Sequence, residues 1–133
     1  MKKIISFASI GILLIVTIIL LTFCKKEEDL PTPAFVFTAT TVQIQGGGDG
    51  LQFTAKCTNN NVKMAKVFIT DPTQSPPFLY NLNGTIYSKD ESFALQATGV
   101  AYNKKIGKWK FEFTGNRTED DVSFYETTTL DVK

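Results

Sequence analysis

The 133-residue chain carries 14 Lys and Arg against 13 Asp and Glu, a formal net charge of +1, and contains no histidine. Near-neutrality removes the footprint of a nucleic-acid binder, because phosphate backbones are met by clustered Lys and Arg. The missing imidazole removes Ser-His and Cys-His nucleophile pairs, ordinary zinc sites and the commonest near-neutral general base, so no catalytic residue, cofactor or metal is expected.

Met1-Lys2-Lys3 leads into an uncharged run of 20 residues, Ile4 to Phe23, reading IISFASIGILLIVTIILLTF. A short basic start followed by an apolar run is what a secretion machine reads, and it is set aside before the fold is considered. Beyond it, from Cys24 onward, 12 cations face 13 anions. This part is nearly neutral and has no electrostatic attraction to nucleic acid or anionic lipid.

The apolar run ends in Leu21-Thr22-Phe23-Cys24. This resembles the lipobox of bacterial lipoproteins, with Leu three residues before the Cys; Phe23 stands where that family prefers Gly, Ala or Ser. The resemblance implies cleavage ahead of Cys24, a diacylglycerol on its sulfur and an acyl chain on its amine. Lys25-Lys26-Glu27-Glu28-Asp29 resembles a tag that directs certain Gram-negative lipoproteins to the cell surface. The expectation is therefore a protein of the cell envelope, lipid-anchored at the outer membrane and surface-exposed. The competing reading is an uncleaved signal anchor, since 20 apolar residues at about 1.5 Å each are just long enough to span a bilayer core. Both place the body outside the cytoplasm.

Three segments follow: residues 1–23 as signal peptide, residues 24–34 as lipidated Cys and tether, and residues 35–133 as the folded domain. Pro31 and Pro33 favour an extended tether without packed structure. From Phe35 the pattern is that of β-strands: aromatic and β-branched residues alternate with polar ones, and turn residues recur at short intervals. The expected strand regions are Phe35 to Gln45, Leu51 to Thr58, Val62 to Thr70, Phe78 to Leu82, Thr85 to Ser88, Ser92 to Thr98, Gly107 to Thr114 and Val122 to Val132. Gly46-Gly47-Gly48-Asp49-Gly50 reads as a flexible hairpin connection, and Asn59-Asn60-Asn61 as a turn. Asn83-Gly84 between two apolar runs is a strong hairpin signal, because a type I′ turn needs positive φ at both central positions. Trp109, Phe111 and Phe113 alternate with Lys108, Lys110 and Glu112, so the aromatic side belongs in the core.

About seven or eight short strands without a helical stretch indicate an all-β, antiparallel two-sheet sandwich. The strand order resembles immunoglobulin-like and fibronectin type III-like domains of bacterial surface lipoproteins over Phe35 to Lys133. Antibody domains join their sheets by a disulfide; here Cys57 has no second Cys in the domain, and its phase with Phe53 and Ala55 makes it a buried small hydrophobe. The other fold considered is a small closed barrel, because Gly107-Lys108-Trp109 resembles the Gly-x-Trp of lipocalins, which implies a small-ligand binder.

Thr118-Glu119-Asp120-Asp121 concentrates carboxylates, but its spacing matches no calcium loop. The expected function is non-catalytic: a β-sandwich presented for protein or glycan binding, with Phe78, Tyr80, Tyr87 and Tyr102 as contact aromatics in or near loops. The alternative is an accessory subunit of an envelope complex, docking through an edge strand that includes Val122, Phe124 and Thr127-Thr128-Thr129.

Overall fold

The computed structural model describes residues 29–133, of which Pro31–Lys133 form one unit; the expected signal segment, Cys24 and residues 25–28 lie outside the described residues. In chain order the strands are β1 (Phe35–Gln43), β2 (Asp49–Cys57), β3 (Val62–Thr70), β4 (Phe78–Tyr87), β5 (Ser92–Ala94), β6 (Tyr102–Asn103), β7 (Gly107–Arg117) and β8 (Ser123–Val132). They build two antiparallel sheets. The first runs β1-β2-β5, with β6 also on β2, and the second runs β4-β3-β7-β8. Two antiparallel sheets of this kind, with aromatic rings packed between them, make a β-sandwich. Among the described residues the sheets stay separate and close no barrel, and Gly107-Lys108-Trp109 opens the seventh strand.

Alternation produces the core. β2 turns Leu51, Phe53, Ala55 and Cys57 inward, and β7 turns Trp109, Phe111 and Phe113 inward, all of them buried. Burying each large side chain is worth roughly 1.5–3 kcal/mol. The rings lock the layers: Phe35 stacks on Phe113 at 4.3 Å, Phe37 on Phe111 at 4.7 Å, and Phe53 meets Phe111 edge-on at 5.0 Å. Cys57 is a buried free thiol.

Three local rules are overridden by pairing. Asn83 and Gly84 do have positive φ, 53° and 74°, but they make no hairpin. Phe78–Asn81 and Thr85–Tyr87 both pair with β3, so the left-handed residues insert a bulge into one continuous strand. In β3, Met64 faces Gly115 and Lys66 faces Thr114, leaving Ala65 as the extra residue. That bulge shifts the phase, which is how Val62 and Met64 point inward together with Val67 and Ile69. The strand expected to reach Thr98 stops at Ala94 because Gln96 substitutes its side chain for backbone: its Oε1 accepts the Phe53 amide at 2.8 Å. β6, absent from the expected strands, then takes up the β2 edge opposite Gly50 and Leu51.

The tether also ends sooner than expected. Asn59 Nδ2 donates to Thr32 O at 2.9 Å, Asn60 Nδ2 to Pro31 O at 2.9 Å, and the Ala34 amide to Asn59 Oδ1 at 2.9 Å. With Pro33 buried, Pro31–Ala34 is fastened to the sandwich by the asparagine turn, and the unpacked spacer does not extend to Ala34.

Gly115 marks the closest backbone approach at the β3 bulge: a Cβ there would lie 2.4 Å from Lys63 O. Gly115→Ala is expected to destabilise the domain by about 1–3 kcal/mol through overpacking, measured by urea unfolding. An unchanged midpoint would contradict the close approach.

Candidate interaction surface

Residues opposite one another in an antiparallel pair share a face. On the outer face of the second sheet this aligns Leu79, Phe68, Glu112 and Thr127 in one row, and Asn81, Lys66, Thr114 and Tyr125 in the next. Lys63 pairs with Ile86 beyond them, and Thr70 with Lys110 on the other side. Leu79 is 52% exposed, Tyr125 59% and Ile86 62%, so large apolar groups stand open on this face.

The polar groups around them are ordered. Lys66 Nζ lies 5.1 Å above the Phe68 ring, a cation–π contact. Glu112 accepts a short hydrogen bond from the Tyr125 hydroxyl and pairs with Lys110 Nζ at 3.3 Å. The Tyr125 hydrogen bond holds the Glu112 carboxyl below its ordinary range. Lys63, Lys66, Lys108 and Lys110 stand on this sheet against Glu112 and Asp131, so a nearly neutral domain presents one cationic, partly apolar face.

At its lower margin Thr70, Asp71, Pro72, Gln74, Lys108, Lys110 and Thr129 line a concavity of about 430 Å³. Asp71 is buried and bonds Lys105 Nζ at 2.5 Å, the Thr73 hydroxyl at 2.5 Å and the Thr73 amide at 2.8 Å. Above all the Lys105 hydrogen bond, then that of Thr73, pulls the Asp71 carboxyl below its ordinary range. This clamp joins the loop after β3 to the loop before β7 and supports the concavity wall.

The four aromatics expected as contacts fall together on a different side, where β4 faces β5 and β6. Phe78 lies 5.2 Å from Tyr102, which in turn lies 5.8 Å from Phe53 and 6.2 Å from Trp109. Tyr87 stacks on Phe93 at 4.3 Å, and Tyr80 packs against the core. The Tyr102 hydroxyl donates to Leu95 O at 2.7 Å, and burial pushes its pKa up to about 12. These tyrosines wall the core, half-buried, and Phe78 alone among the four is exposed. Phe68, Leu79 and Tyr125, which the sequence reading left out, are the outward members of strands that carry apolar residues on both faces.

The acidic hairpin is committed internally. Arg117 Nε and Nη2 bind the Asp120 carboxylate at 3.1 and 2.6 Å, and Asn116 Nδ2 binds Asp121 Oδ1 at 3.1 Å. Among the described residues no three of His, Cys, Asp and Glu gather to hold a metal ion. Compared with known proteins, the chain matches no family model, no curated relative and no solved structure.

The clamp gives a pH signature. A lowered carboxyl pKa in the folded state contributes stability that is present above the ordinary value of 3.8 and lost as pH falls through the folded value. Asp71→Asn is therefore expected to unfold more easily than wild type at neutral pH, with the gap closing in acid. Thermal unfolding across pH checks this, and a gap that persists unchanged in acid would contradict it.

Proposed function

We propose that the chain is a lipid-anchored, non-catalytic lipoprotein of the bacterial cell envelope whose sandwich presents the outer face of its second sheet to a protein or glycan partner. The observation that carries the binding reading is exposed Leu79 and Tyr125 flanking half-buried Phe68 among lysines, on two adjacent rows of one sheet face. Exposed apolar groups inside a charged margin are what a contact surface requires, because burying them drives association while the charges select the partner. The cationic margin fits an acidic rim on that partner.

The anchor rests on Leu21-Thr22-Phe23-Cys24 and the lysine-acidic tag after it. Two or more acyl chains hold a protein at a bilayer without a spanning helix, at about 0.8 kcal/mol per buried methylene. The binding surface then needs no affinity of its own for lipid. The alternative, an accessory subunit of an envelope complex, is favoured by one observation: among the described residues β8 pairs with β7 alone and is an edge of its sheet.

Two measurements test this reading. A palmitate analogue fed to cells is expected to label the wild type and not Cys24→Ala, and equal labelling would contradict the anchor. A photo-crosslinker at Leu79 in intact cells is expected to yield a discrete protein or glycan adduct that weakens about tenfold or more in Tyr125→Ala, as a central aromatic contact does. No adduct, or one indifferent to Tyr125, would contradict the surface.

A further inference from the structure

Four sheet edges are available among the described strands. The β5–β6 edge is short and interrupted, and β4 is broken by its bulge at Asn83 and Gly84. Both features blunt pairing with another chain. β1 and β8 are uninterrupted and lie on the same side, since Phe35, Glu126, Thr127 and Thr128 line one concavity.

Of these two, β8 reaches further. The β1 rings sit over β7, with Phe35 on Phe113 and Phe37 on Phe111, so β8 overhangs the first sheet. Its inward residues Phe124, Glu126, Thr128 and Leu130 are consequently only half-buried. Concavities of about 280, 320 and 290 Å³ follow one another beneath the overhang from Val122 to Lys133.

The backbone of this edge can be assigned. The Arg117 amide donates to Val122 O at 3.0 Å, and the β7–β8 register is unbroken from Ser123 to Val132. Backbone groups alternate in direction along a strand, so those of Phe124, Glu126, Thr128, Leu130 and Val132 point to β7. Those of Ser123, Tyr125, Thr127, Thr129 and Asp131 point to the open edge.

We propose that the β8 edge pairs antiparallel with β8 of a second copy of this chain, about a two-fold axis through Thr127. Such an interface must be self-complementary. Centred on Thr127, it sets Phe124 against the second copy's Leu130, Val122 against its Val132, Tyr125 against its Thr129 and Asp121 against its Lys133. Glu126, half-buried and with no side-chain hydrogen bond or ion pair among the described residues, meets the second copy's Thr128, whose hydroxyl can donate to its carboxylate. Centring on Glu126 instead would oppose two carboxylates, and centring on Thr128 would set Glu126 against Leu130. Opposed like charges are unfavourable and apolar pairs are favourable, which selects the Thr127 register. The pairing joins two second sheets into one and brings their outer faces side by side. It does not depend on the lipid anchor or on the partner proposed above.

The full chain in detergent micelles tests this by sedimentation equilibrium. Wild type is expected to double in mass as concentration rises, and Thr127→Pro to stay monomeric at the same concentrations. Proline removes an N–H that faces away from β7, so thermal unfolding of the diluted variant is expected to stay near wild type. As a second test that keeps the backbone intact, Thr127→Cys in the purified full chain under mild oxidation is expected to give a disulfide-linked dimer, and Asn81→Cys on β4 is not. If Thr127→Pro fails to fold, the Thr127→Cys result decides. Wild type that is monomeric at every concentration, a dimer unaffected by Thr127→Pro, or a Thr127→Cys chain that forms no such link would overturn the proposal.

Discussion

Two rings of β1 lying flat on two rings of β7 determine most of what this molecule presents to its surroundings. Phe35 on Phe113 and Phe37 on Phe111 fix how far the first sheet slides across the second. Phe53 then wedges edge-on against Phe111 and packs on Trp109, so the slide is set by interlocked rings and not by general apolar contact. Offset and edge-on ring pairs have preferred geometries, and so they position as well as stabilise. With β1 held over β7, the two sides of the sandwich differ. One is walled by Tyr102, Phe78, Tyr87 and Phe93, while the other is left open under β8.

The fold class was legible because its strongest signals are local and periodic. The Trp109, Phe111, Phe113 alternation in β7 and the Leu51 to Cys57 alternation in β2 are buried as read. What escaped depends on which strand lies alongside. Asn83-Gly84 carries the dihedral angles of a turn, but whether positive φ reverses a chain or bulges it depends on whether the flanking segments pair with each other or with a third strand, here β3. The Ala65 bulge has no composition signal, yet it decides that Phe68 faces outward and Val67 inward. Gln96 reads as a polar loop residue and in fact completes the hydrogen bonding of β2.

The same reason kept the outward face of the second sheet illegible in the sequence. Sequence placed Phe78, Tyr80, Tyr87 and Tyr102 near loops, and the structure does gather them, but as the side wall of the core with the Tyr102 hydroxyl satisfied by Leu95. Exposed Leu79 and Tyr125 and half-buried Phe68 belong to three different strands and come onto neighbouring rows of one face only through register. Lysines scattered along the sequence likewise become one face when β3 and β7 lie side by side. Strand pairing thus gives the described residues a cationic face, one side walled by aromatic rings and one open edge.

Ring stacking between β1 and β7 holds the sheets in place. A double-mutant cycle on Phe37→Leu and Phe111→Leu, read by chemical unfolding, measures it most directly. Specific stacking predicts a coupling of about 0.5–1.5 kcal/mol beyond the loss of buried area. Additive effects, within about 0.3 kcal/mol, would contradict the account.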